Sequence, residues 1–110
     1  MKLIEYINIL NNLLKIAERK KLNIKIADFK SSADALLKGN RIGISSKLPL
    51  NELNFVLAHE IAHYYLHYDK GNTIKSPRHK EYEEQANRTA ELILDLLSMD
   101  MDSCNVGGAN

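Results

Sequence analysis

Two histidines and a glutamate are spaced for metal chemistry in the segment His59-Glu60-Ile61-Ala62-His63. On a helix, residues four apart lie on one face, so the imidazoles of His59 and His63 can reach one metal ion. Glu60 lies about 100° around the helix from His59 and can contact a water molecule at that metal without binding the metal. This division of roles suits hydrolysis in which zinc polarises a carbonyl and lowers the pKa of its bound water to about 7. We predict His59 and His63 as zinc ligands and Glu60 as the general base.

The residues around this motif argue against the alternative that His59 and His63 are ordinary core or surface residues of an amphipathic helix. Apolar residues precede the motif at 55–58 and lie within it at Ile61 and Ala62, which predicts a buried helix. Unpaired polar groups on such a helix would each cost about 1–3 kcal/mol, and a metal with its water would satisfy them. His67 shares the face, but the helical rise places it about 12 Å from His59, too far to bind the same ion. We therefore predict His67 to be a helix-end or cleft residue.

A catalytic zinc site usually has three protein ligands and one open position, so a third ligand is needed. A metzincin would have a glycine and a histidine where this chain has Leu66 and Asp69. No cysteine precedes the motif, which removes ligation of the deformylase type. The remaining candidates are one histidine and three glutamates that follow the motif: His79, Glu81, Glu83 and Glu84.

Helical periodicity favours Glu83 among these candidates. The apolar face of the predicted third helix consists of Ala86, Ala90, Ile93, Leu94 and Leu97, and Glu83 lies on that face, three residues before Ala86. A carboxylate on a buried face is costly unless it is paired or binds a metal. Glu84 and Glu81 instead align with charged and polar residues of a solvated stripe. One turn after Glu83, Asn87 is predicted to accept a hydrogen bond from a ligand histidine, with an ordinary surface amide as an equally open alternative.

The elements that position these residues are predicted to form an α+β domain. A helix is expected over residues 2–21, followed by a short strand at 22–26 and a hairpin that turns at Gly39-Asn40, which gives a small three-stranded sheet. Pro49 begins the motif helix, which is expected to end near Gly71, and a third helix carries the remaining ligand from about Lys80 to Leu97. Residues 1–99 form a single domain in this prediction, and residues 100–110 a disordered tail.

Composition restricts the classes of partner. The net charge of +1 offers no field for tight binding to nucleic acid, and the basic run at 19–21 falls where a helix end is predicted and complements its dipole. The single cysteine, Cys104, cannot form an internal disulfide and suits a reducing compartment. Polar residues interrupt the amino-terminal segment, which argues against a signal peptide or a membrane span. We expect a cytoplasmic protein with no direct nucleic-acid or membrane partner.

The chain resembles the ImmA/IrrE family of zinc metallopeptidases over about residues 22 to 95. The matching text is the Leu57–His63 segment with Leu66-His67, then Glu83-x-x-Ala86-Asn87 and the helix that follows. The resemblance implies a minimal gluzincin core in which His59, His63 and Glu83 bind zinc and Glu60 is the base. Members of this family are often encoded in phages and mobile elements beside helix-turn-helix repressors, which some of them cleave.

Two functions of different classes follow from these residues. The first is a zinc-dependent endopeptidase that hydrolyses a peptide bond in a protein partner, such as a helix-turn-helix repressor. The second is a non-catalytic module in which zinc organises a protein-interaction surface. Glu60 favours the first, because a structural zinc site needs no carboxylate beside the metal's water and is usually closed by cysteines. Two histidines with a carboxylate favour zinc over iron or manganese.

Overall fold

Three helices and one three-stranded sheet make up the described part of the chain. The computed structural model describes residues 2–30, 32–67 and 77–107, with side chains through residue 99. The elements, in chain order, are α1 (Lys2–Arg19), β1 (Asn23–Ala27), β2 (Ala35–Lys38), β3 (Arg41–Ser45), α2 (Leu50–His67) and α3 (His79–Gly107). This arrangement confirms the predicted α+β class. Along the chain, the three strands follow the first helix and precede the motif helix.

The helix α1 ends in a backbone reversal at Lys21. Its inner face buries Ile9, Leu13 and Ala17. The amide of Leu22 donates to the carbonyl of Ala17 at 2.8 Å and the amide of Lys21 donates to that of Glu18 at 3.0 Å, the paired bonds of a Schellman motif. Lys21 adopts a φ of 59°, a left-handed conformation that glycine usually occupies. The reversal turns Leu22 into the core, directly before β1.

The sheet has the order β1-β3-β2, so β3 is the central strand. It pairs parallel with β1 and antiparallel with β2. The predicted hairpin is confirmed: β2 and β3 are joined by Gly39-Asn40, and Gly39 has a φ of 60°. The inward residues of this central strand, Ile42 and Ile44, belong to the hydrophobic core and are almost completely buried.

The helices α2 and α3 pack closely against each other. On α2 the side chains of Leu57, Ala58 and Ile61 are all buried, as the apolar context of the motif predicted. On α3 the side chains of Ala86 and Ala90 are fully buried. Small residues at such a contact let two helices approach. The approach brings the first turns of α3 alongside the polar residues of α2.

The helix α3 is longer than predicted. It begins at His79 and continues to Gly107, beyond the expected end near Leu97, so the backbone of residues 100–107 is helical where a disordered tail was expected. No proline or glycine interrupts the sequence before Gly107, which explains the continuation. Residues 108–110 and the expected end of the motif helix near Gly71 lie outside the described residues. Within the described residues, no helix is both long and apolar enough to cross a membrane.

Candidate metal centre

Side chains from α2 and α3 converge on one point. His59 and His63 lie one turn apart on α2, with ring centroids 4.5 Å apart and ring planes nearly perpendicular. Glu83 reaches them from α3: its Oε1 lies 3.4 Å from His59 Nε2, and its Oε2 contacts His63 Nε2. All three candidate ligand atoms lie within 4.8 Å of one another. The structure therefore brings together the three residues that the sequence predicted as ligands.

The geometry of this cluster fits a metal ion. A tetrahedral zinc with bonds of about 2.0–2.1 Å places its ligand atoms roughly 3.3–3.4 Å apart. The separation between His59 Nε2 and Glu83 Oε1 is 3.4 Å. Two imidazole nitrogens and one carboxylate oxygen are the ligands of catalytic zinc sites of the two-histidine, one-glutamate type. The His59 and His63 side chains are 14% and 10% exposed and that of Glu83 is 39% exposed. The cluster is consequently closed on the histidine side and open to solvent on the carboxylate side.

Glu83 is less buried than its place in the helical pattern predicted. Among the side chains of α3 that the structure describes, those of Tyr82, Ala86 and Ala90 are buried, so Glu83 lies at the border of the packed face. The other candidates are absent from the metal-binding cluster within the described ranges. Glu81 instead accepts two hydrogen bonds from Arg78, each 2.8 Å long, which lower the pKa of its carboxyl.

Glu60 lies beside the cluster, in a pocket of about 410 Å³ that it lines together with His59. Burial raises the pKa of the Glu60 carboxyl above its ordinary value of 4.5. The positive charge that His59 can carry opposes this rise, and the negative charge of Glu83 adds to it. A carboxylate with a raised pKa close to a metal-binding cluster has the properties of a general base.

The rest of the pocket wall comes from three elements. The segment entering β2 contributes Ala33, Asp34 and Ala35, α2 contributes Phe55 and Val56, and α3 contributes Asn87. Phe55 and Val56 thus give the pocket an apolar part of its wall, next to the polar cluster. Such a combination of apolar lining and a few convergent polar groups is typical of a ligand site.

The hydrogen bond predicted for Asn87 is not formed with His59. Within the described residues, the buried Nδ1 atom of His59 has no hydrogen-bond partner. Asn87 is exposed and lines the same pocket. Its role in orienting a ligand histidine stays a prediction.

His67 has a more specific position than the sequence predicted. It is 4% exposed, its Nδ1 lies 3.3 Å from His63 Nδ1, and its Nε2 lies 2.8 Å from Gln85 Oε1. Its ring packs against that of Tyr82, with centroids 4.4 Å apart. The helical spacing correctly separated His67 from the metal cluster. The same spacing places His67 one turn from His63, so the sequence indicated that these two side chains could meet. Nothing in the sequence indicated the contact of His67 with Gln85.

The surroundings of His63 favour a neutral imidazole. Burial lowers the pKa of His63, while the negative charge of Glu83 opposes this change. A metal binds the neutral form, since a protonated nitrogen has no lone pair to offer. The burial of His63 by the fold therefore favours the protonation state that metal binding requires.

Comparison with known protein families identifies a match. The model of a peptidase family, described as the IrrE N-terminal-like domain, matches residues 17–96, more than two thirds of the chain. No curated protein and no solved structure matches the chain. The matched range includes the sheet, the whole of α2 and the part of α3 that carries Glu83.

Proposed function

Because the chain belongs to the IrrE N-terminal-like family of peptidases, we propose that it is a zinc-dependent endopeptidase that hydrolyses a peptide bond in a protein partner. One observation carries the proposal: His59, His63 and Glu83 surround one point, and Glu60 lies in the adjoining pocket. The three residues of the cluster supply the metal ligands. Glu60 lies outside the cluster, and its carboxylate is close enough to interact electrostatically with His59 and Glu83. A purely structural metal site would not need that carboxylate.

The chemistry assigns a distinct role to each of these groups. A zinc ion held by the three side chains would supply a Lewis acid and a water molecule of lowered pKa. Glu60 then accepts the proton from the attacking water and returns it to the amine that leaves. The raised pKa of Glu60 suits both transfers, because a group that titrates closer to the working pH is a better acid after it has been a base.

The outer edge of β2, the terminal strand of the sheet within the described residues, supports an extended peptide as the substrate. The amide of Ser45 donates to the carbonyl of Asp34 at 2.8 Å, which fixes the alternation of hydrogen bonds between β3 and β2. By that alternation the backbone groups of Ala35 and Leu37 point away from β3. A peptide that pairs with this edge would pass the pocket wall at Ala35 and approach His59. A loop or unfolded segment of a partner meets this requirement.

The class of partner follows from the resemblance to ImmA/IrrE peptidases. We propose a helix-turn-helix repressor of a phage or mobile element, cleaved in the cytoplasm, where the lone Cys104 suits reducing conditions. The small net charge of +1 agrees with a protein substrate and gives no support to direct binding of nucleic acid.

The Glu60→Gln variant tests the proposed function. Wild type and variant, both loaded with zinc, would be incubated with a proteome-derived peptide library and with a candidate repressor, and new amino termini would be mapped by mass spectrometry. We expect the variant to keep its zinc and to cleave about 10²- to 10⁴-fold more slowly, the usual contribution of a general base. Glu84→Gln is the matched control, because it neutralises an exposed carboxylate outside the cluster and should leave cleavage unchanged.

Two results would overturn the proposal. Cleavage by Glu60→Gln at the wild-type rate would remove Glu60 from the mechanism. A zinc-loaded wild type that binds the repressor and leaves it, and the library, intact would show the non-catalytic interaction module instead.

A further inference from the structure

A chain of hydrogen bonds runs from the surface of α3 to the metal-binding cluster. It connects Gln85, His67 and His63, which we call the histidine relay. Gln85 is exposed, whereas His67 and His63 are buried at 4% and 8% exposure. The contacts are 2.8 Å between Gln85 Oε1 and His67 Nε2, and 3.3 Å between the Nδ1 atoms of His67 and His63. The far nitrogen of His63 faces Glu83 in the cluster.

The types of atom in the relay determine where its protons lie. The carbonyl oxygen of Gln85 can only accept, so Nε2 of His67 must carry a hydrogen. In a neutral His67 the other nitrogen, Nδ1, is then a bare acceptor. Its partner, Nδ1 of His63, must be the donor. A neutral His63 with its hydrogen on Nδ1 has its lone pair on Nε2, the atom directed at the cluster.

This arrangement suits a metal ion that can accept both lone pairs. The bare Nε2 of His63 and an oxygen of Glu83 are both acceptors, and they face each other. A metal ion that His63 and Glu83 both bind would satisfy both lone pairs. A His67 with its hydrogen on Nδ1 would instead donate to His63 and move the hydrogen of His63 onto the atom that must bind the metal.

We propose that His67 and Gln85 are positioning residues that hold His63 in the tautomer competent for metal binding. The proposal rests on the metal site of the proposed function and adds to it the groups that orient one ligand. Such outer contacts to a ligand histidine fix its ring and its tautomer. The ring of His67 packs against the buried ring of Tyr82, with centroids 4.4 Å apart, and this contact supports the orientation of His67 in the relay.

Zinc affinity gives the first test. The dissociation constant would be measured by competition with a chelating dye for wild type, His67→Phe and Gln85→Met. We expect His67→Phe to weaken zinc binding by about 10- to 100-fold, the usual effect of losing such a contact, and Gln85→Met to weaken it by a smaller factor. His67→Asn and Gln85→Glu each retain an acceptor oxygen and should lie closer to wild type.

Two further variants separate the relay from general damage to the fold. His79→Phe makes the same change at a histidine outside the cluster and should leave zinc affinity within about twofold of wild type. The double variant His67→Phe/Gln85→Met should bind zinc no more weakly than His67→Phe alone, because the relay is already broken. Gln85 is exposed, so Gln85→Met keeps the test valid if His67→Phe fails to fold.

The tautomers themselves give a readout that a purely structural role would not change. In zinc-loaded protein with ¹⁵N-labelled histidine, long-range proton–nitrogen spectra should place the hydrogen of His63 on Nδ1 and that of His67 on Nε2. A scalar coupling between the two Nδ1 nitrogens should appear across the hydrogen bond. In metal-free Gln85→Met, His67 should populate both tautomers, whereas in metal-free wild type its hydrogen should stay on Nε2.

The outcomes distinguish this inference from the proposed function. A hydrogen on Nδ1 of His67 in the zinc-loaded wild type would overturn the relay. Unchanged zinc affinity in both His67→Phe and Gln85→Met would also overturn it and would leave the peptidase proposal standing. A wild type that binds no zinc would remove the metal site, and with it both proposals.

Discussion

Glu60 carries its carboxylate in the pocket beside His59, where burial raises its pKa above the ordinary value of 4.5. The folded protein therefore holds this proton more tightly than the unfolded chain does. Its favourable contribution to stability is fully present below pH 4.5 and is lost as the pH rises through the raised folded pKa. At neutral pH the base proposed for catalysis accordingly destabilises the metal-free fold.

Because ionised Glu60 destabilises the metal-free fold, its replacement should stabilise the protein. We expect Glu60→Gln to raise the free energy of unfolding of the metal-free protein at pH 7 by about 0.5–2 kcal/mol, the range of single stabilising substitutions at functional sites. The gain should shrink at about pH 4, where Glu60 is protonated in both states. Thermal unfolding of both proteins at the two pH values measures the difference. Glu84→Gln serves as the exposed control, and a gain from Glu60→Gln that is the same at both pH values would contradict the explanation.

The residues of the candidate site differ in how far the sequence could predict them. His59, Glu60 and His63 follow from spacing alone, because a helix fixes which residues share a face. Glu83 follows from its neighbours on the apolar side of α3, although the structure shows it at the border of that side. Gln85 could not be predicted, since its contact with His67 depends on how α3 is rotated against α2.

At the scale of the elements, the end of α1 is strained at one residue. Lys21 has a φ of 59° at the position that closes the Schellman motif, where a side chain is disfavoured. Two hydrogen bonds hold it in this conformation. The amide of Lys21 donates to the carbonyl of Glu18, and the side-chain amide of Asn40 donates to the carbonyl of Lys21. The turn from α1 into β1 thus requires a left-handed backbone conformation at Lys21.

Replacement of this lysine should stabilise the protein. We expect Lys21→Gly to raise the free energy of unfolding by about 1 kcal/mol, because glycine adopts positive φ at little cost while an L-residue loses about 1–2 kcal/mol there. Chemical denaturation at neutral pH measures the change. Lys15→Gly, on the exposed side of the same helix, is the control and should destabilise by about 1 kcal/mol. Destabilisation by both variants would contradict the strain at Lys21.

The elements were predictable where a local pattern determines them. The alternation at residues 22–26 and the turn at Gly39-Asn40 predicted the strands and the hairpin, and the structure has both. The order of the sheet was not predictable, since alternation does not reveal that β1 pairs with β3 in parallel and leaves β2 at the other edge. The length of α3 was underestimated because polar residues after Met99 resemble a tail although they form helix.

At the scale of the whole molecule, the candidate metal centre joins two helices. Two of the three candidate ligands lie on α2 and the third lies on α3. A metal bound only by the folded chain stabilises it by mass action, by about 2.7 kcal/mol at a free concentration of 100 times Kd. Metal binding should therefore stabilise the packing of α2 against α3.

We expect zinc at that excess to raise the Tm by roughly 10 °C and a chelator to reverse the rise. Glu83→Ala should abolish most of the zinc-dependent shift, since it removes the ligand from α3. Glu84→Ala is the matched control on the same helix and should retain the shift. Differential scanning calorimetry with and without zinc measures all three proteins. A full shift in Glu83→Ala would exclude Glu83 as a ligand.

The placement of β3 between β1 and β2 also has a consequence for the order of folding. The hairpin of β2 and β3 closes over two residues, and hairpins form in about 1–10 µs. The parallel pairing of β1 with β3 must first close the longer segment from Ala27 to Arg41 and lose its entropy before any strand contact is gained. The side of the sheet that borders the pocket is thus the side with low contact order. The folding chain should form the β2 edge, which borders the pocket, before it adds the β1 edge.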